Sequence, residues 1–350
     1  MMKKRSRRIL RKNISPQIPA CVLCASSQKA LFRAHDRYHA LPGEFRFVQC
    51  ISCGLVSLNP QPSPRELARH YPENYYAYSF HAPSAQEVRR AIFFYKLYFS
   101  TEKPTFRTRL LQLFFLPMKH LLRGTSISPG AKILDVGCSN GTFLSKMKSA
   151  GMEPYGIEIS KKGCTNARKL GIHVTQGVLE RGMYPANHFD AVTLNHVFEH
   201  LRDPLETLRE LKRIVKPTGK IIIAVPNANS LSRHLFGQYW APWEVPRHLF
   251  IFSPSTMKRC AARAGLRAER TRFISFPYEF QVSIAYLLNA HKHRPIEESR
   301  FAMSKAAYYL LFPLIYLLDM LHIGGVIEVT LMKGKKSGDE NNRSGKSQRN

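Results

Sequence analysis

Residues 133–141 read Ile-Leu-Asp-Val-Gly-Cys-Ser-Asn-Gly, an apolar strand that runs directly into a glycine-flanked turn. Gly137 and Gly141 let the backbone turn sharply and approach a ligand closely. Thr142 to Ala150 continue with helical spacing through Phe143, Leu144 and Met147, and Gly151 is placed to stop that helix as a left-handed cap. The next expected strand, Pro154-Tyr-Gly-Ile-Glu158, ends on an acid 23 residues after Asp135. In a nucleotide-binding βαβ unit, an acid at about this spacing accepts hydrogen bonds from both ribose hydroxyls.

The turn discriminates between cofactors. A dinucleotide site uses G-x-G-x-x-G and leaves helix-end amides free for a pyrophosphate. This chain has D-x-G-x-x-x-G, and a carboxylate at Asp135 repels a pyrophosphate yet can orient a cationic amino-acid moiety through neighbouring amides and water. The pattern resembles motif I of the class I S-adenosylmethionine-dependent methyltransferases, with Glu158 in the place of their ribose-binding acid. Ser139 stands where that family often has its middle glycine. The resemblance implies a cofactor site formed by Asp135, Gly137, Cys138, Gly141, Glu158, Ile159, Val178, Leu179 and Asn195, with the backbone of 177–180 flanking the adenine.

Further elements follow in the order such a fold needs. Strands are expected at 172–176, 189–195 and 220–225, with a turn at Pro217-Thr-Gly219. Asp203-Pro204 open a helix with an Asp cap and Pro at its first position, and Ser253-Pro254 open another to about Gly265. Strands near 267–275 and 325–332 complete the sheet. Through "ILDVGCSNGTFL", "FDAVTLNHVFEHLRDP" and "VPNANSL", residues 131–276 resemble the subgroup that includes the ubiquinone-type O-methyltransferases. The implied fold is α/β, a Rossmann-like, seven-stranded, mostly parallel sheet with helices on both faces. The expected organisation is a basic disordered tail (1–18), a zinc-binding module (19–60), a helical linker or lid (61–128), the methyltransferase domain (129–333) and a second basic disordered tail (334–350).

Four of the seven cysteines fall as Cys21-x-x-Cys24 and Cys50-x-x-Cys53, 25 residues apart. Two such knuckles present four thiolates as a tetrahedron, the closed arrangement of structural zinc, and Gly54 suits the tight turn of the second. Disulfides or redox pairs are the competing readings. The stretch from Arg46 to Val56 resembles the N-terminal zinc module that precedes some class I methyltransferases, several of which modify sugars or natural-product intermediates. A closed site implies a metal that holds a small zinc-ribbon-like module together rather than one that polarises substrate.

On the acceptor side, Asn195-His196-Val-Phe-Glu199-His200 follows the fourth strand, at the carboxyl edge where open α/β sheets bind ligands. His196 and His200 share a face if the segment is helical. Either is a candidate for the base that an oxygen or carbon acid requires. A structural role for both, a divalent ion at Glu199/His200, and the metalloprotease string H-x-x-E-H are the alternatives. A second patch, Trp240-Ala-Pro-Trp243-Glu-Val-Pro246-Arg247-His248, resembles the "PRHL" segment of the same subgroup and implies a substrate-side lid. His248 is the further base candidate, and packing of Trp243 on the sheet edge is the plain alternative. The Asn/Asp-Pro-Pro-Tyr/Phe string of adenine and glutamine N-methyltransferases is missing, which disfavours those acceptors.

Composition sets the remaining limits. The 350-residue chain is 44% apolar but carries 53 Lys+Arg against 24 Asp+Glu, a net charge of +29. Basic tails attract polyanions, whether nucleic acid or an anionic bilayer. Asn13 to Ala20 contain no apolar core of a secretory signal, so the expectation is a cytoplasmic protein, peripheral on a membrane if it touches one. Residues 306–318 give thirteen apolar positions, short of the about 20 that span a bilayer; that stretch and 91–122, aromatic but mixed with Lys and Arg, suit interfacial or core-packed helices. The leading reading is methyl transfer from S-adenosylmethionine to oxygen or carbon of a small-molecule, sugar or lipid-linked acceptor. A nucleic-acid methyltransferase and a non-catalytic zinc-ribbon adaptor are the alternatives.

Overall fold

The apolar stretches around the two cysteine pairs form three antiparallel strands, β1 (Gln28–Ala34), β2 (Phe45–Cys50) and β3 (Val56–Leu58). They are seen in a computed structural model that describes residues 19–72, 84–99, 103–114, 128–290 and 304–334. Both expected basic tails, and parts of the expected 61–128 helical region, lie outside the described residues. Helices α1 (Pro64–Arg69), α2 (Ala85–Phe99) and α3 (Phe106–Phe114) come next. Ser63 caps α1 with a reciprocal Ser–Glu66 box, which satisfies two amides the first turn otherwise leaves unpaired.

The main sheet alternates strand and helix: β4 (Lys132–Val136), α4 (Thr142–Ser149), β5 (Glu153–Glu158), α5 (Lys161–Lys169), β6 (His173–Gln176), β7 (Phe189–Asn195), α6 (Pro204–Ile214) and β8 (Val215–Pro226). Then follow α7 (Leu231–Phe236), β9 (Phe250–Ile251), α8 (Pro254–Arg263), β10 (Leu266–Phe273), α9 (Pro277–Leu288), α10 (Lys305–Met320) and β11 (Val326–Lys333). The seven-strand order is β10-β11-β8-β7-β4-β5-β6. Strands β8, β7, β4, β5 and β6 are parallel, and β11 runs antiparallel between β8 and β10.

Successive residues of β4 feed two different cores, as a period-2 strand requires. Ile133 packs with Leu144 and Met147 of α4 and Ala167 of α5. Leu134 and Val136 join Leu208, Leu211 and Ile214 of α6 and Met257 and Cys260 of α8. A strand covered on both faces is apolar at successive positions, which is why Ile133, Leu134 and Val136 show no alternation, with Asp135 the one polar break. The expected α/β architecture is the observed one. Asp203 caps α6 by accepting from the Glu206 amide at 2.9 Å, and Ser253 caps α8; removing such a cap costs about 1 kcal/mol.

Two features differ from expectation. Pro217-Thr-Gly219 lies inside β8, which already starts at Val215, as an unpaired bulge: pairing with β7 passes from Phe189–Val215 to Ala191–Lys220. An added Cβ at Gly219 would lie 2.9 Å from the Asp190 carbonyl oxygen, so glycine is what lets the irregular stretch stay against β7. The second feature is β9, which leaves the methyltransferase half of the chain to pair with β3, Val56 opposite Ile251 and Ser57 opposite Phe250. The small N-terminal sheet is therefore four-stranded, β1-β2-β3-β9. Because Val326 of β11 pairs with Pro226 at the end of β8, the α9–α10 insertion sits at the carboxyl edge of the parallel strands.

Candidate active site and thiolate cluster

The turn after β4 takes its shape from three left-handed residues, Gly137 (φ 73°), Ser139 (φ 51°) and Gly141 (φ 78°). At Gly137 a Cβ would meet Val197 Cγ2 at 2.4 Å, and at Gly141 it would meet Ala167 Cβ at 2.7 Å. Both glycines thus admit close neighbours as well as an unusual backbone. Asp135, buried, accepts from the Thr193 hydroxyl at 2.6 Å and from Asn195 Nδ2 at 3.3 Å. Those bonds aim the carboxylate across the ends of β4 and β7.

Glu158 caps the turn from β5. Its Oε2 accepts from the Ser139 amide and its Oε1 from the Ser160 amide, each at 2.8 Å. A carboxylate offers about four acceptor positions, so lone pairs remain for ribose hydroxyls. Gly163 makes room for this side chain, since a Cβ there would lie 2.9 Å from Glu158 Cγ. Ile159 and Val178 are 63% and 51% exposed at the same edge, apolar surface of the kind an adenine ring covers, with Leu179 half-buried behind them. The residues present fit an adenosyl group.

Cys138 departs from its expected part. Its side chain is buried against Gly156, its amide donates to the Ile157 carbonyl at 3.0 Å, and burial pushes its thiol pKa up. The side chain faces the core, not the edge.

The 195–200 segment is not a helix beyond the single 3-10 turn Phe198–His200, because His196 is left-handed at φ 52°. The two histidines therefore do not stack at i and i+4, and the helical metalloprotease geometry is not formed. Instead Glu199 gathers histidines from two segments. His196 Nδ1 lies 3.3 Å from Glu199 Oε1, and His248 Nε2 lies 3.8 Å from the same oxygen and 3.4 Å from Glu244 Oε2. The ligand atoms of Glu199, His200 and His248 all lie within 4.8 Å of one another. Glu199 is fully buried, and neither carboxylate oxygen has a hydrogen-bond partner. Burial raises its pKa, and the adjoining histidines overcome that and leave it lowered. This is a donor set for a proton or a divalent cation.

The tautomers can be reasoned from carbonyl partners, which only accept. His200 Nδ1 sits 3.0 Å from the Arg247 carbonyl oxygen and 3.0 Å from the Tyr71 hydroxyl; His248 Nδ1 sits 2.7 Å from the Pro242 carbonyl oxygen. Each ring thus carries its hydrogen on Nδ1 and presents Nε2 inward. Burial first, then the neighbouring His248, brings the His200 pKa down to about 4. His200 is accordingly neutral at pH 7, an acceptor or ligand but a weak base. His196, one-third exposed at its side chain, is the accessible candidate.

The 240–248 segment is not a lid. Trp240, Trp243, Arg247 and His248 are all buried. Trp243 packs edge-on against Phe32 with centroids 4.8 Å apart and lies 4.7 Å from Phe47. Arg247 Nη1 donates to Asp36 Oδ2 at 2.8 Å and to the His70 carbonyl at 3.0 Å, and its Nε donates to Glu244 Oε1 at 3.0 Å. The segment faces the N-terminal module because that module's apolar sheet covers it. Tyr71, Asp36 and His70 were not legible as site residues; Glu244 and Arg247 lay in the segment singled out by its "PRHL" resemblance, but their buried partners carried no local signal.

Cys21, Cys24, Cys50 and Cys53 converge, their sulfurs all within 4.8 Å. Cys21 Sγ is 3.7 Å from Cys53 Sγ, and Cys24 Sγ is 3.3 Å from Cys50 Sγ. A tetrahedron with Zn–S near 2.3 Å has edges of about 3.8 Å. Amides of Leu23 and Cys53 donate to Cys21 and Cys50 sulfurs at 3.4 Å, as anionic thiolates need. Both knuckles turn through left-handed residues, Ala25 and Gly54. The residues fit a structural zinc ion, whose role would be to hold β1, β2 and their loops together.

Geometry of this kind belongs to a class. The family model described as "Methyltransferase domain" matches residues 106–271, just under half of the chain, and the sheet with its motif-bearing edge has the fold of S-adenosylmethionine-dependent methyltransferases. Within that class the chain is similar to the ubiquinone biosynthesis O-methyltransferase of Thiobacillus denitrificans, 31% identical over 153 residues, which are 40% of this chain and 66% of that protein. It is likewise similar to the protein of the same name from Bordetella avium, 27% identical over 183 residues, 47% of this chain and 76% of the other. A solved S-adenosylmethionine-dependent methyltransferase from Archaeoglobus fulgidus superposes with a TM-score of 0.40 at 21% identity, covering 69% of this chain and 99% of that one.

Proposed function

We propose that this protein transfers the methyl group of S-adenosylmethionine to an oxygen of a small-molecule acceptor. The carrying observation is the paired use of Glu158, whose oxygens brace the turn at Ser139 and Ser160 while lone pairs stay available at an edge lined by exposed Ile159 and Val178. Similarity to O-methyltransferases supports oxygen over carbon. The bound cofactor supplies an electrophilic methyl on a sulfonium that is ready to leave. The chain's own residues bind and orient: Asp135 and Asn195 face the amino-acid end, Gly137 and Gly141 allow close approach, and His196, poised on Glu199, takes the acceptor proton. Glu199, His200 and His248 hold a divalent ion if the acceptor oxygen needs one. The four thiolates hold structural zinc.

An acceptor presented at an anionic membrane surface is favoured by one feature, the row Tyr309, Leu310, Leu314, Leu317 and Met320, all exposed on α10 at the ligand edge. No helix among the described residues is long and apolar enough to cross a membrane.

The test is calorimetric binding of S-adenosylhomocysteine, followed by incubation with methyl-labelled cofactor and fractionated extract. Binding to the parent protein and its loss in Gly137→Arg are expected, with Val178→Asp, at an exposed position, carrying the test if Gly137→Arg does not fold. Undiminished affinity in Gly137→Arg would refute the pocket.

A further inference from the structure

The reading above places an acceptor at His196, with Glu199, His200 and His248 packed behind it. Resting on it, we propose that the cleft between the N-terminal module and the 238–247 segment holds an anionic group of that acceptor, a carboxylate or a phosphate, on Arg37. The cleft, a shallow recess open to solvent, is lined by Arg37, Tyr38, Trp240, Glu244, Arg247 and Tyr286 among others. It is made jointly by two parts of the chain: His35, Arg37 and Tyr38 follow β1, while the other lining residues belong to the methyltransferase half.

The two guanidinium groups in its walls differ in one respect. Arg247 is fully committed, to Asp36, to Glu244 and to the His70 carbonyl. Arg37 lies 4.8 Å over the Tyr239 ring and donates Nη1 to the Gln238 carbonyl at 3.1 Å, and among the described residues no carboxylate pairs with it. Half-buried and without a counter-ion, it is held below the usual guanidinium pKa by burial, the nearby tyrosines opposing only in part. Glu244, the carboxylate that shares the cleft, is held by Arg247 Nε and faces His248, so it does not neutralise Arg37. A guanidinium left without an acid and held against an aromatic ring keeps donors for a carboxylate or phosphate.

Position ties the cleft to the chemistry. Glu244 lines it and approaches His248 Nε2 at 3.4 Å, while the Arg247 carbonyl accepts from His200. The cleft and the histidine pair share one wall. An anion on Arg37 is thus a remote anchor, the kind of contact whose binding energy orients the reacting end of a substrate.

The test uses the full-length protein. Inorganic phosphate and malonate are titrated separately, at fixed ionic strength, into wild type, Arg37→Ala, Arg37→Met and, as a surface control for the high net charge, Arg267→Ala. Calorimetry and the ligand-induced shift of the unfolding midpoint are the readouts. At least one anion is expected to bind wild type and Arg267→Ala alike, and to bind both Arg37 variants roughly tenfold or more weaker, the loss of a charge-assisted pair. Which anion binds separates phosphate from carboxylate. Arg37→Met keeps the stem over Tyr239 and carries the test if Arg37→Ala does not fold. Equal binding in the Arg37 variants, or no binding of either anion to wild type, overturns the assignment. S-adenosylhomocysteine is titrated in parallel: its failure to bind any of the proteins defeats the methyltransferase reading, whereas its normal binding beside unchanged anion affinity defeats the cleft alone.

Discussion

Asp36 and Arg247 form a fully buried ion pair, Oδ2 to Nη1 at 2.8 Å with both side chains 0% exposed, between the N-terminal module and the segment that precedes β9. His70 Nδ1 joins the same Asp36 oxygen at 2.9 Å. Breaking one side of such a pair leaves a charge stranded. Asp36→Ala should destabilise the fold by about 3–5 kcal/mol, and Asp36→Ala/Arg247→Met should recover much of that loss. Denaturant titrations of the single and double variants decide it; additive losses count against the pair.

The same pair sets an acid limit. Burial pushes the Asp36 pKa up, but the His70 hydrogen bond and the Arg247 charge outweigh it and hold the value at about 2, against 3.8 for the free group. A folded value below the unfolded one means the stabilisation is complete above 3.8 and fades as pH falls through 2. Unfolding midpoints measured between pH 5 and 2 should drop more steeply in wild type than in Asp36→Ala/Arg247→Met (sampling points chosen about the Asp range).

His200 acts in the neighbouring window. Its folded pKa of about 4 lies below the 6.5 of a free imidazole, through burial and then His248. The unfolded chain therefore takes up a proton before the folded one does, and stability should decline as pH falls from 6.5 toward 4. His200→Asn should flatten that slope. If wild type and variant run parallel across the window, His200 is not held neutral by the fold.

Metal analysis of the purified protein should give about one zinc per chain, as a four-thiolate site requires. Cys50→Ser/Cys53→Ser should lose it. Because β3 pairs with β9, that variant should also become more open to proteolysis around 245–252. A metal-free wild type with full stability would end the zinc assignment.

Val178 is half exposed at the proposed cofactor edge, so Val178→Asp should leave the unfolding midpoint nearly unchanged, within about 0.5 kcal/mol. S-adenosylhomocysteine affinity should nevertheless fall by roughly tenfold, the cost of about 1.4 kcal/mol of lost apolar contact. Calorimetry with unchanged affinity would move the adenine elsewhere.

What could be read along the chain was whatever closes within one βαβ unit or one knuckle. The turn at 137–141, the acid at 158, the caps at 203 and 253 and the paired cysteines each depend on partners a short distance away, so backbone preference and spacing announce them. Even here the short-range reading was incomplete: Pro217-Thr-Gly219 bulges out of the pairing with β7, which passes from Val215 to Lys220, and the H-x-x-E-H segment does not form a helix, because His196 is left-handed.

Tertiary structure alone decided the rest. Asp36 meets Arg247 across 211 positions, and Tyr71 meets His200 across 129; contacts that distant leave no local period or spacing. Whether Trp243, Arg247 and His248 would line an open lid or be sealed under another sheet depended on where β1–β3 docked. That was settled by β9 offering an edge to β3 and by Phe32 and Phe47 offering apolar surface to Trp243. The residues of the cofactor edge were set locally by the chain; the closure of the acceptor side was set by burial, which only the assembled sheets could provide.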